Sequence, residues 1–150
     1  SSLEVPVEEA EDRFLDVVAA CQEMAGDALL LAPESLHRGE TDVWNDSGRL
    51  ANGLADRGLA FTADSYHILR EWEAEGHPDL EGWMRTQVPF RPWHVHLSDI
   101  RRLPPDPADP QMKAFVARLA ELGYERTVSL ECPVEDLTTA RRNLDRVFST

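Results

Sequence analysis

Cysteine is scarce in this 150-residue chain: Cys21 and Cys132 are the only two, far apart and without close spacing. Such usage does not build a disulfide scaffold, and both thiols are expected to be buried small hydrophobes in a reducing compartment. Cys21 falls on the apolar face of an expected helix, and Cys132 directly follows an expected strand. Long apolar runs are missing too. The longest, residues 28–32 (ALLLA), is strand length, whereas a bilayer span needs about 18 residues. No membrane partner is therefore expected. No basic stretch followed by an apolar one opens the chain, so no secretory leader is expected and the compartment is taken as cytoplasmic. Positive charge is outweighed, with 15 Lys and Arg against 28 Asp and Glu and a net charge of −13. Nucleic-acid binding depends on Lys and Arg displacing counterions from phosphates, so nucleic acid is not an expected partner. An acidic field favours cations instead.

What is present is ordinary for a soluble globular protein: 42% hydrophobic and 29% charged residues, enough for one domain with a sizeable core. No linker composition divides the chain, so residues 1–150 are expected to form one domain. Residues 8–25 read as an amphipathic helix with Phe14, Val17, Val18, Cys21 and Met24 at helical spacing, stopped by Gly26. Residues 28–32 then read as a strand covered on both faces, ending at Glu34. The pattern repeats. A helix over 46–57, capped by Asp46 or Ser47, leads to a strand over 59–63 that ends at Asp64. Helices over 66–74 and 80–87 precede a strand over 92–97, ending in the His96 and Asp99 region. A proline-rich loop, 103–110, separates it from a helix over 111–122 carrying Met112, Phe115, Val116, Leu119 and Leu122 on one face. Residues 126–130 form the last strand, ending at Glu131, and Leu137, Ala140, Leu144, Val147 and Phe148 mark a final helix. A leading helix followed by four βα units implies an α/β fold with parallel strands and right-handed crossovers.

Each expected strand thus delivers a metal-capable side chain at its C-terminal end: Glu34, Asp64, His96 and Glu131, separated by 30, 32 and 35 residues. Those gaps are about one βα unit each, and in a parallel barrel the four positions share the rim where (βα)8 enzymes place their active sites. Alone, any of them passes for a helix cap, a surface charge or a core histidine; four in register do not. Three carboxylates and one imidazole suit a hard or borderline divalent ion, Mn²⁺ ahead of Mg²⁺ or Co²⁺. His94 is expected to face away from His96 and to be structural. Trp44, Tyr66 and Trp93 offer rings that could stack on a sugar, although packing explains each more simply.

The segments PESLHRGE (33–40), DSYH (64–67), HVHLSDIRR (94–102) and SLEC (129–132) resemble the xylose isomerase-like superfamily, most of all its ketose 3-epimerase and sugar phosphate isomerase/epimerase branch. The resemblance runs from about residue 28 to the end, in the family's order. It implies a (βα)8 barrel of which this chain would be the C-terminal half. It also implies that Glu34, Asp64, His96 and Glu131 ligate the metal, that Glu34 and Glu131 double as acid/base catalysts, and that Glu40, His67 and Arg102 contact hydroxyls of a sugar or polyol-derived substrate. The expected activity is isomerisation or epimerisation by proton abstraction next to a carbonyl. The loop LPPDPADP departs from the glycine-containing turn of the family, which weakens transfer of any particular substrate.

A complete (βα)8 barrel takes about 250 residues, so four units are expected to be a fragment, a half-barrel completed by a copy of itself or by a second half-barrel, or a re-folded open sheet. An open half-barrel is expected to expose edge strands and an apolar inner face. Two other function classes compete. One is a non-catalytic half-barrel serving binding or assembly. The other is a metal-dependent phosphodiesterase resembling AP endonucleases, disfavoured by five histidines and the acidic charge.

Overall fold

The computed structural model describes residues 5–149. Helix α1, Val7–Ala25, ends where Gly26 takes φ 57°; a short 3₁₀ turn over Gly26–Ala28 follows. Then come α2 (Ser47–Ala55), β1 (Thr62–Asp64), α3 (Ser65–Ala74), α4 (Leu80–Gln87), β2 (His94–Leu97), α5 (Pro110–Glu121), β3 (Val128–Leu130) and α6 (Leu137–Val147). Aspartate opens every helix after α1. Asp46, Asp64, Asp79, Asp109 and Asp136 each accept a hydrogen bond from a backbone N–H of the first turn, satisfying donors that the helix cannot satisfy itself. Part of the acidic excess is therefore local structure and not a diffuse surface charge.

The three strands form one parallel sheet in the order β1-β2-β3. Register pairs Ala63 with Val95 and Val95 with Val128, and Leu97 with Leu130; the alternate row pairs Thr62 with His94, and Asp64 with His96 with Ser129. Side chains alternate across a strand. The first row is apolar and belongs to the core, where Ala63, Val95 and Leu97 are fully buried with Leu69, Met84, Met112 and Phe115. The second row is polar throughout. The inner face of this sheet is thus polar, not the apolar face expected of an open half-barrel, because the helices claim every apolar strand position. The same alternation corrects the expectation for His94. Residues i and i+2 share a face, and the rings of His94 and His96 lie 5.1 Å apart.

Two further expectations change at the leading edge. Residues 28–32 form no ladder. Leu29 is extended (φ −145°, ψ 133°), but the Gln22 side chain takes its peptide groups: Gln22 Nε2 donates to the carbonyls of Gly26 and Leu29, and Gln22 Oε1 accepts from the Leu31 N–H. On the other side the segment meets β1 through Thr62, whose N–H donates to Pro33 O at 2.9 Å and whose hydroxyl donates to Ala32 O at 2.7 Å. Leu29 and Leu30 stay exposed, so the segment is not covered on both faces. In α1 the buried positions are Glu11, Leu15 and Val18, while Val17 and Met24 are 60% and 88% exposed and Cys21 is exposed. Glu11 turns the helix: its carboxylate accepts from Trp44 N–H and from Arg49, and its carbonyl accepts from the Trp44 indole. Satisfying that buried charge outweighs burying Val17 and Met24. Cys132 is half-buried.

Candidate metal centre

The four strand-end residues converge. Glu34 leaves the extended segment, Asp64 ends β1, His96 lies in β2 and Glu131 follows β3, its N–H donating to Leu97 O. One ligand-type atom from each falls within 4.8 Å of the others. His96 Nδ1 is the hub, at 2.7 Å from Glu34 Oε2, 2.8 Å from Glu131 Oε2 and 3.6 Å from Asp64 Oδ2. Asp64 divides its two oxygens: Oδ1 accepts from Tyr66 N–H and caps α3, while Oδ2 turns to the cluster.

Charge makes this arrangement unusual. One imidazole nitrogen has at most one proton to donate, so it cannot serve three carboxylates, and Glu34 is the one within hydrogen-bonding geometry. Asp64 Oδ2 and Glu131 Oε2 are both buried and have no hydrogen-bond donor among the described residues. Buried acceptors without donors cost about 1–3 kcal/mol each, and a divalent cation would satisfy both at once. The donor set passes the same test, since oxygen-rich sites with one imidazole suit Mn²⁺, Mg²⁺ or Co²⁺. The neighbouring carboxylates, Asp64 first and then Glu34, push the His96 pKa up to about 10. Burial works to raise Asp64, but the His96 imidazole beside it holds it below the usual carboxylate range. Glu131 moves the other way, raised by burial and then by Asp64 beside it.

Arg102 meets this group directly. Its Nη2 donates to Glu131 Oε1 at 2.9 Å, and its guanidinium lies 4.7 Å from the Tyr66 ring centroid. Arg102 has φ 59°, a left-handed conformation uncommon for a residue with a Cβ. Buried Asp99 imposes it, accepting from the N–H groups of Arg101 and Leu103 while its carbonyl accepts from Arg102 N–H. Ser65 ties the ends of β1 and β2 together through Ser98. The segment HVHLSDIRR pointed to Arg102; the role of Asp99 in aiming it was not read from the sequence.

Glu40 and His67 gather in a second group with His37, a residue that the motif reading passed over. The loop that carries His37 and Glu40 is clamped by buried Glu71 of α3, which accepts from the Arg38 N–H at 2.6 Å and from Arg38 Nε at 2.8 Å; Glu75 also pairs with Arg38. Burial lowers the His67 pKa. The aromatic candidates separate. Trp44 is buried packing, Tyr66 supports Arg102, and Trp93 stacks under Arg126 just ahead of β2, at the strand end away from the cluster. His94 bonds to Thr127 and Ser129 on the inner face.

No family model matches the sequence, and no curated protein matches it. Among solved structures, the chain is similar to a D-psicose 3-epimerase crystallised in the presence of D-fructose, with a TM-score of 0.70 and 19% identity; the match covers 97% of this chain and 50% of that one. The chain spans half the length of that enzyme. No helix among the described residues is long and apolar enough to cross a membrane. The likeness is one of fold: this chain folds as half of a (βα)8 barrel.

Proposed function

We propose that this chain carries the metal-binding half of a sugar isomerase or epimerase, with Glu34, Asp64, His96 and Glu131 as ligands of a divalent cation, Mn²⁺ by preference. The observation that carries the reading is the pair of buried oxygens, Asp64 Oδ2 and Glu131 Oε2, left without donors beside a third carboxylate. A cation held by these four residues would supply positive charge to a substrate carbonyl and so acidify the neighbouring C–H. Glu34 takes that proton as a carboxylate. Glu131 is the second carboxyl group of the pair, returning a proton to the same carbon. Glu34 arrives from the segment ahead of β1 and Glu131 from the end of β3, so removal and return from different sides invert the centre. Arg102 holds Glu131 in place. Glu40 and His67 read hydroxyl groups of the sugar. Exposed Leu29, Leu30, Val17 and Met24 at one edge, with Phe148 and Leu137 at the other, support completion by a second half-barrel or a second copy.

The test combines two measurements. Equilibrium dialysis with Mn²⁺ should give one ion per chain, which a scaffold without metal chemistry has no reason to retain. In the assembled enzyme, Glu34→Gln and Glu131→Gln should each remove most turnover of a ketose while circular dichroism stays that of the wild type. Wild-type turnover in Glu131→Gln sinks the two-carboxylate mechanism.

A further inference from the structure

His37, Glu40 and His67 bring three metal-capable atoms within 4.8 Å, yet their hydrogen bonds point to a different chemistry. The backbone N–H of His37 donates to His67 Nδ1 at 3.1 Å. The backbone N–H of Gly39 donates to His37 Nδ1 at 3.0 Å. A ring nitrogen that accepts a hydrogen bond has no proton, so each imidazole is neutral and carries its proton on Nε2. Ligation by a neutral imidazole needs an unprotonated nitrogen with a free lone pair, and on both rings an amide already occupies that nitrogen. What remains are two N–H donors and a carboxylate. His37 Nε2 lies 3.3 Å from Glu40 Oε1. His67 Nε2 is buried and has no partner among the described residues, in a side chain 1% exposed.

We propose that His37 is a positioning residue for a hydroxyl-binding subsite: its backbone N–H fixes His67 as an Nε2–H donor, and its ring fixes the Glu40 carboxylate as the acceptor. The proposal rests on the sugar reading above and adds the residue that sets the subsite's polarity. A hydroxyl both donates and accepts, so it satisfies an orphaned N–H and a carboxylate lone pair together, which a cation cannot do. Gly39 belongs to the device. A Cβ there would lie 2.7 Å from His37 Cε1, so the ring folds over its own chain only because residue 39 has no side chain.

Long-range ¹H–¹⁵N spectra of the histidine rings in the whole chain test this, with Mg²⁺ as the metal and D-fructose as the probe. Both His37 and His67 should be Nε2–H tautomers before and after Mg²⁺ saturation, and D-fructose should shift the His67 Nε2–H signal. His37→Ala should leave the His67 tautomer and the Mg²⁺ stoichiometry unchanged, because the main-chain donor survives. It should raise the half-saturating D-fructose concentration about tenfold, the scale of one hydrogen bond to a charged group, and His37→Gln should recover most of it. An Nδ1–H tautomer on either ring overturns the proposal. So does a second equivalent of metal that strips ring protons, a D-fructose response untouched in His37→Ala, or no response with Mg²⁺ bound. Loss of Mg²⁺ binding itself counts against the sugar-enzyme reading, and the tautomers then still decide the role of His37.

Discussion

The two histidine–carboxylate clusters at this rim use the same residue types and end with opposite polarity. Around His96, three carboxylates face one nitrogen and two buried oxygens lack donors. Around His37 and His67, backbone amides occupy the ring acceptors and an N–H is left over. One cluster presents unpaired acceptors; the other presents an unpaired donor. The difference lies in where the backbone N–H groups go. Asp64 gives one oxygen to the start of α3 and keeps the other for the first cluster, whereas the loop 37–40 curls so that its own amides reach the imidazoles. Side-chain inventory alone does not separate a metal site from a hydroxyl site.

The largest expected effect breaks the first cluster and spares the second. Asp64→Asn keeps an oxygen for the α3 cap but removes the anionic one, and Asp64→Ala removes both. Mn²⁺ affinity by calorimetric titration should fall at least about 100-fold in each variant, while only Ala should pay the cap, about 1 kcal/mol in a urea melt. Mn²⁺ binding by Asp64→Asn at wild-type strength would remove Asp64 from the ligand set.

Next comes the clamp under the second cluster. Glu71→Ala strands Arg38 and frees the loop that carries His37 and Glu40. Because the Arg38 side chain is about half exposed, the loss should stay near 2 kcal/mol, below that of a fully buried pair. His67 should then show mixed tautomers, with Mn²⁺ affinity changed less than threefold. Equal damage to both clusters would mean that they are one unit.

Proton linkage separates the clusters at smaller amplitude. The His96 pKa lies near 10 in the metal-free protein, against about 6.5 unfolded. Its contribution to stability is therefore fully present below about pH 6.5 and is lost as pH rises towards 10. A metal competes with that proton, so Mn²⁺ binding at pH 8 should release about one proton per ion, and affinity should climb up to about tenfold per pH unit over that window. Calorimetry in two buffers of different ionisation enthalpy measures the release. His37→Ala should not change it.

Much of this was legible in the sequence, for a physical reason: βα units of about 30 residues return each strand end to one rim, so Glu34, Asp64, His96 and Glu131 could be named from spacing, and the Asp46 cap from its place ahead of a helical run. What stayed hidden depended on single polar side chains overriding a pattern. Gln22 takes the peptide groups of residues 29–31 and replaces a strand pairing. Glu11 rotates α1 so that Val17 and Met24 face outward. His94 was open to correct reading, since strand alternation by itself places it beside His96. His37 was not, because the contact it makes with His67 uses a backbone N–H, which every residue except proline has.

The smallest effect belongs to Gly39, and it isolates the second cluster most cleanly. Its φ lies outside the left-handed range and needs no glycine; what an added methyl meets is the His37 ring, at 2.7 Å from Cε1 and 2.9 Å from Nδ1. The ring can swing away, which limits the cost of Gly39→Ala to about 1 kcal/mol or less. Ala also narrows the unfolded chain's freedom, offsetting part of that. Swinging away, however, breaks the Gly39 N–H bond to Nδ1 and withdraws Nε2 from Glu40. A melt near the wild-type temperature, together with a His37 ring signal that has lost its fixed Nε2–H tautomer and one Mn²⁺ still bound per chain, is the expected result. If the His37 tautomer survives in Gly39→Ala, the ring is held by something other than the turn, and the contrast between the two clusters no longer rests on backbone amides.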